Sequence, residues 1–363
     1  MKIYNQSTFD KWPIPDKSVQ AIITSPPYWG LRKYDIPDVI IGSKNGCEHE
    51  FNLKNITRET GQQGAYGRGS DKTKIFKESY SEGFCLKCHA WKGQYGLEPS
   101  YKEYIEHTRL WAKEAWRVLK DNGLLFLNIG DSFSGGGAGS HTKPHDKQTA
   151  ICGKAINKTD LPSKCKILLP HRVAISLIDD GFICRNDIVW HKMNAMPESV
   201  TDRFSKKFEF IFMLSKKGKY YFDLDAVRGK HKRLWNENNG GSFSHPVTTK
   251  EHGITGYAHS GSYPLPNPLG KNPGDCWEIN TQPSPFKHYA MWPEKLVKHM
   301  ILCSTKAGDA VLDPFCGSGT TLRIAESLQR TGKGIDLGYQ DIQEQRLKHI
   351  QKEIMPTEDI EVG

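Results

Sequence analysis

The apolar positions of this chain follow two periods. Residues 19–24, Val-Gln-Ala-Ile-Ile-Thr, form a short, mostly apolar and β-branched run that stops at Pro26-Pro27, which predicts a buried strand opening into a rigid loop. Tyr104, Leu110, Trp111, Ala115 and Val118 recur at helical spacing over 101–119, between Pro99-Ser100 and Asp121-Asn122-Gly123, and 124–129 then reads as a strand. The alternation returns as a helix over 168–178, a turn at Asp179-Asp180-Gly181, a strand over 182–190 and another over 209–214, which ends in the basic turn 215–219. The last part predicts a helix over 293–303, a strand over 310–312, a glycine turn at 316–319, a helix over 320–329, a strand over 332–335 and a helix from Gln340. Helix and strand in alternation predict an α/β fold, a sheet with helices on both faces.

Two stretches break the pattern. Residues 43–96 are rich in Gly, Lys, Asn, Thr and Ser, and a structureless loop of that length does not suit a compact domain, so they predict an inserted module. Residues 227–276 shift to Gly, His, Asn, Ser and Pro with scattered Lys and Arg, which suits a variable surface segment that meets a partner. The expected division is an α/β body of 1–42, 97–225 and 277–363, an insertion at 43–96 and a recognition region at 226–276. Lys plus Arg outnumber Asp plus Glu by 50 to 41, a formal charge of +9, which is compatible with a phosphate-rich partner. With no basic start before an apolar run and no stretch of 18 apolar residues, neither secretion nor a membrane span is expected, and cytoplasm is the default compartment. Nine cysteines in 363 residues do not make a disulfide scaffold, and Cys85-x-x-Cys88 points instead to metal or redox chemistry.

Two strings carry candidate chemistry. In Asp313-Pro314-Phe315-Cys316-Gly317-Ser318-Gly319-Thr320-Thr321, glycines stand where a strand turns into a helix, so a ligand can lie against bare backbone at the helix start. Asp336, at the end of the next strand, is placed to accept hydrogen bonds from two ribose hydroxyls. A glycine turn of this kind also occurs for packing alone, and its spacing departs from the dinucleotide fingerprint. In Thr24-Ser25-Pro26-Pro27-Tyr28-Trp29 the two prolines fix the backbone and remove donors, leaving the Ser25 hydroxyl and the Pro26 carbonyl to accept from an NH2 group. Tyr28 adds a ring on which an extruded base can stack.

With these strings in this order, the chain resembles the amino-directed DNA methyltransferases, which act on cytosine N4 or adenine N6, in the beta-group order where the Ser/Asp-Pro-Pro-Tyr motif precedes the recognition region and the Phe-x-Gly-x-Gly motif comes last. Segments 24–34, 97–132, 185–223 and 288–336 all read like family segments. The resemblance implies a Rossmann-like S-adenosylmethionine-dependent methyltransferase fold with a seven-stranded, mainly parallel sheet and one antiparallel strand. It also implies that Ser25, Pro26, Pro27 and Tyr28 hold a flipped base. Thr24, Asp313, Pro314, Phe315, Gly317, Ser318, Gly319 and Thr320 would surround the methionine part of the cofactor, with Asp336 at its ribose. Pro293 belongs to a segment, His288 to Leu296, that resembles the one closing over the cofactor. Serine at position 25 is the family's commonest mark of cytosine N4 methylation, so N4-cytosine is expected and N6-adenine is the alternative. At Asn5-Gln6-Ser7 the chain departs from the usual Gly-Asp-Ser, replacing an acidic contact to the cofactor's adenine by Gln6, and Gln20 stands where the family often has Asp. An RNA or protein methyltransferase and a DNA-binding module with a decayed site are the competing readings. A nicotinamide oxidoreductase leaves residues 25–28 unexplained.

Cys47-x-His49 and Cys85-x-x-Cys88 supply four ligands of the types tetrahedral zinc prefers, with His89 a competing ligand, so structural zinc is expected in the insertion. Double-stranded DNA is the expected partner and a cognate restriction endonuclease a candidate one. Arg228, Lys230, Lys232 and Arg233 are candidate phosphate contacts, with Trp235 or His259 nearby; Arg185, Lys192 and Arg203 are expected beside the base pocket.

Overall fold

A computed structural model describes residues 1–31, 33–44, 46–61, 75–135, 159–231, 267–282 and 292–339. Its frame is an eight-stranded sheet: β1 (Lys2–Asn5), β12 (Thr331–Asp336), β11 (Ala310–Asp313), β2 (Val19–Thr24), β7 (Leu119–Ile129), β9 (Phe208–Ser215), β8 (Ile183–His191) and β10 (Cys276–Glu278), in that spatial order. All neighbours pair parallel except those of β9, which runs against both β7 and β8. The single antiparallel strand is as expected. The count is eight rather than seven because the three-residue edge strand β10 adds to β8. Strands as short as β1 and β10 carry too few residues to show a period.

The sheet is buried on both faces, and the period of two divides its residues. Ile22, Leu125 and Leu127 point to one core, against the first two helices, α1 (Tyr101–Val118) and α2 (Leu169–Asp179). Ala21, Ile23, Leu124 and Phe126 point to the other, against α3 (Glu294–Ser304) and α4 (Thr320–Ser327). In α1 the Ser100 side chain accepts from the Glu103 N–H, a cap of about 1 kcal/mol, and Tyr104, Thr108, Trp111, Ala115 and Val118 form the buried stripe. The turn expected at Asp121-Asn122-Gly123 is instead a bulge within β7, since the partner of β2 jumps from Leu119 to Leu124 while β2 advances from Val19 to Ala21. Gln20 donates to the Asn122 carbonyl at 3.2 Å, which gives that departure from the family pattern a structural role.

Much of the segment without sequence period is a second, antiparallel sheet in the order β3 (Val39–Ile41), β6 (Trp91–Gly93), β5 (Ile75–Cys85), β4 (Phe51–Gly61). Its long β4–β5 hairpin is polar on much of its described surface, which hides the alternation a half-buried strand would show. The helix expected from Gln340 lies outside the described residues.

Candidate active site

β2 connects onward to β7 on one side, while β11 leads to β12 on the other, so the carboxyl ends of β2 and β11 form the crevice at which open α/β sheets take ligands. Asp313, at the end of β11, is buried there. Its Oδ1 accepts from the Thr24 hydroxyl at 2.8 Å and the Phe315 N–H at 3.1 Å, and its Oδ2 from the Thr321 hydroxyl at 2.7 Å. Burial pushes the Asp313 carboxyl up to about 6, against the pull of the two hydroxyls. Gly317 and Gly319 adopt φ of +47° and +79°, the left-handed conformation that lets β11 turn into α4 within a few residues. Asp336, at the end of β12, accepts from the Gly317 N–H at 2.6 Å and the Gly338 N–H at 3.0 Å, and burial raises it too to about 6.

Along the same edge stands a second set of polar groups. The Tyr28 hydroxyl donates toward Asn128 Oδ1 at 2.6 Å and Glu209 Oε2 at 2.8 Å. The Ser25 hydroxyl lies 3.3 Å from both Tyr28 Oη and Asn128 Oδ1. Asn128 is oriented by its own amide, which donates to the Phe210 carbonyl at 2.9 Å, and Lys192 Nζ pairs with Glu209 Oε1 at 2.5 Å. Burial, and then the charge of Glu209, hold the Tyr28 phenol well above its ordinary value, so it stays protonated. The antiparallel course of β9 is what delivers Glu209: the start of this strand lies beside the ends of its neighbours.

Both sets line one cavity of about 430 Å³. Ser25, Pro26, Pro27 and Tyr28 line it, as do Asp313, Pro314, Phe315, Gly317, Ser318, Thr320 and Asp336, so the structure brings the two strings together. Three expected cofactor residues do not line it. Thr24 is wholly buried beneath Asp313 and positions that carboxylate; Gly319 serves the turn at the start of α4; Pro293 is buried at the start of α3, and its neighbour Trp292 reaches the cavity instead. Gln6 is half-buried outside the cavity and donates to the Lys11 carbonyl, whereas Ser7, Thr8 and Phe9 line the wall. Asn128 and Glu209 were not singled out from sequence, although each is a polar residue within an apolar run, Leu124–Ile129 and Phe208–Leu214. Tyr95, which stacks on Phe315 with centroids 5.5 Å apart, lay in the segment without period.

The basic residues fare unevenly. Lys192 lines the cavity. Arg185 does not flank it: it lies near the opposite end of β8, roughly 20 Å away at strand rise, with its guanidinium on the Tyr220 hydroxyl at 2.9 Å. Arg203 is paired to Glu198 at 2.6 Å and packs over the Phe133 ring, and it does not reach the cavity. Arg228 is tied to Asp225 and the Gly270 carbonyl, which fixes a short 3-10 turn at Asp225–Val227 and leaves it little freedom for a phosphate. Lys230 is exposed; Lys232, Arg233, Trp235, His259 and residues 288–291 lie outside the described residues.

A family model for N6/N4 methyltransferases, described as DNA methylase, matches residues 19–348. The chain belongs to this DNA methylase family. The methylase is 33% identical over 341 residues to the Type II methyltransferase M.Cfr9I of Citrobacter freundii, covering 92% of this chain and 83% of that one. It is 30% identical over 330 residues to the Type II methyltransferase M.SmaI of Serratia marcescens, covering 90% and 83%. Among solved structures, PvuII DNA methyltransferase (cytosine-N4-specific) superposes with a TM-score of 0.50 at 15% identity, over 96% of this chain and 90% of that one, which shows a shared fold. Among the described residues of the methylase, no helix is long and apolar enough to cross a membrane.

Space at Gly130 gives a direct check on the Tyr28 ring. A Cβ there would lie 2.3 Å from Tyr28 Cδ2, so Gly130→Ala must displace the ring. Turnover is expected to fall by roughly 10²-fold, the cost of a small misplacement of a reacting group, with cofactor affinity unchanged in an equilibrium titration. Full turnover in this variant would mean that the position of the ring is not used.

Proposed function

We propose that this methylase transfers a methyl group from S-adenosylmethionine to the exocyclic N4 amine of a cytosine flipped out of double-stranded DNA, as the modification enzyme of a Type II restriction-modification pair. The observation that carries the reading is the placement of the Ser25-Pro26-Pro27-Tyr28 loop and the Asp313 and Asp336 carboxylates on one cavity, one set suited to an amine and the other to a nucleoside. The residues fit the cofactor. Asp336 keeps lone pairs for two ribose hydroxyls beyond the two backbone N–H groups it already accepts, and Asp313, Phe315, Gly317 and Thr320 offer a wall for the methionine part. When bound, the cofactor supplies an electrophilic methyl on a sulfonium centre.

The Ser25 hydroxyl and Pro26 carbonyl would accept from the amine hydrogens and turn its lone pair toward that methyl, a positioning task that requires no strong base. An amine so held would have one surplus proton to shed once methylated. Ser25, Tyr28 and Glu209 form a hydrogen-bonded line along which that proton can leave. Support for cytosine over adenine comes from Ser25 in place of Asp, the family's commonest mark of N4 methylation, and from Lys192. Beyond the amine, the pairing edge of cytosine ends in a carbonyl acceptor, where adenine presents only C–H, and Lys192 offers the donor a carbonyl takes.

For DNA contact, the β8–β9 connection at 192–207 is better placed than Arg185 or Arg228. It leaves the cavity at Lys192, exposes Met193, Met196 and Phe204, and carries exposed Lys207. The test is mass spectrometry of nucleosides from DNA incubated with the protein and isotope-labelled S-adenosylmethionine. Labelled N4-methylcytosine is expected. Labelled N6-methyladenine would keep the enzyme and overturn the base, and no label in any DNA would overturn the reading.

A further inference from the structure

The β3–β6 sheet contains a side-chain cluster that methyl transfer does not use. Cys47 and His49, in the loop between β3 and β4, meet Cys85, the last residue of β5, and Cys88, in the turn that follows it, with one ligand atom of each within 4.8 Å of all the others. We infer that these four residues hold a structural zinc ion that braces one wall of the cofactor cavity. The zinc assignment stands independently of the proposed methyl transfer.

The distances match a tetrahedron. Sulfurs each about 2.3 Å from zinc lie roughly 3.8 Å apart, and a sulfur and an imidazole nitrogen about 3.5 Å apart. Cys47 Sγ and Cys85 Sγ are 3.9 Å apart, and Cys88 Sγ and His49 Nδ1 3.4 Å. Short local bonds orient His49 and fix the two ligand-bearing segments. His49 Nε2 is 2.9 Å from the Ser43 hydroxyl, which directs Nδ1 to the centre, as the outer partner of a metal-bound histidine does. Leu86 N–H donates to the Glu50 carbonyl at 2.8 Å, joining the two ligand-bearing loops, and His89 N–H closes the Cys85 turn at 2.9 Å. The His89 ring is exposed and outside the cluster, which resolves the competition between the two histidines in favour of His49. Three thiolates and one imidazole complete four-fold coordination from protein alone, so the site is closed and structural rather than catalytic, and binding releases thiol protons.

The same sheet edge forms part of the cavity. β3 and β6 pair from Val39–Gly93 to Ile41–Trp91, and the chain on either side reaches the ligand space through Ile36, Pro37 and Val39 and through Gln94 and Tyr95. Gln94 binds these flanks together: its Oε1 accepts from the Tyr34 N–H at 3.1 Å, and its Nε2 donates to the Tyr34 and Ile36 carbonyls at 3.0 and 2.6 Å. A metal joining the loop after β3 to the turn before β6 therefore fixes both strands that lead to the wall.

The experiment is elemental analysis of the full chain purified without chelators. One zinc per chain is expected, retained by Cys276→Ser, whose exposed thiol lies outside the cluster, and lost by the double variant Cys85→Ser and Cys88→Ser. Less than about half an equivalent of zinc, a different metal at one equivalent, or an intact mass two hydrogens lower from a disulfide would each overturn the assignment. Should the double variant not fold, cobalt exchanged into the unaltered protein provides the second reading: tetrahedral thiolate bands in the visible spectrum are expected, and their absence would refute the site. Removing zinc should weaken S-adenosylmethionine binding several-fold in calorimetry, with recovery on re-addition. Unchanged affinity with the metal gone would overturn the bracing role while leaving the site.

Discussion

Tyr28→Ala is expected to lower turnover by at least about 10²-fold while leaving the affinity for S-adenosylmethionine intact. Tyr28 contributes a ring to the proposed base side of the cavity, and its hydroxyl bonds Asn128 and Glu209. Ser25→Ala should behave alike, because it removes the proposed acceptor for the amine and nothing from the proposed cofactor wall. Tyr28→Phe separates the two contributions: it keeps the ring and removes only the hydroxyl, so its turnover should lie between those of the unaltered protein and Tyr28→Ala. Single-turnover rates beside equilibrium cofactor titration make the check. Lost cofactor binding in Tyr28→Ala would contradict the assignment of this loop to the base.

Asp336→Ala should have the opposite signature, with cofactor affinity falling by about 10²-fold, the worth of two charge-assisted hydrogen bonds. The carboxylate also anchors the Gly317 and Gly338 N–H groups, so the turn that carries Phe315 loosens with it. The pH dependence has a definite sign. Asp336 and Asp313 are both raised to about 6, so the unliganded native state binds their protons more tightly than the unfolded chain does. Their contribution to stability is fully present below the ordinary carboxylate range and is lost as pH rises through about 6. In the proposed contact, ribose hydroxyls donate to the ionised Asp336 carboxylate, so the cofactor favours the deprotonated form. Affinity should therefore fall as pH drops through about 6, approaching a tenfold loss per pH unit for one carboxylate, with protons released on binding. Calorimetry in buffers of different ionisation enthalpy checks this. A flat profile between pH 5 and about 7.5, well to either side of that midpoint, would remove Asp336 from the ribose.

The unequal outcome for the basic residues has a simple physical origin. Sequence shows a charge and its neighbours along the chain, whereas availability for phosphate depends on what lies across from it in space. Arg228 has Asp225 three residues away, a pairing visible in the sequence, but the Gly270 carbonyl that holds its Nη1 is 42 positions distant. Arg185 and Lys192 belong to the same run of chain, yet β8 carries one away from the cavity and the other into it.

The sequence by itself determined the parts that depend on local periodicity and on short strings. The apolar run of β2 ending at two prolines, the stripe of α1, the glycine turn before α4 and the ligand pairs of the insertion all encode their geometry within a few residues. Only the tertiary structure decided what joins them. It set the β2 and β11 ends side by side, placed Thr24 under Asp313 rather than against a ligand, and turned β9 so that Glu209 faces Tyr28 across 181 positions of chain. It also revealed strands too short or too polar for a pattern to show. Backbone propensity and side-chain period act over one or two turns, whereas strand order and direction follow from burying both faces of one sheet at once, a condition on the whole chain that no local window contains.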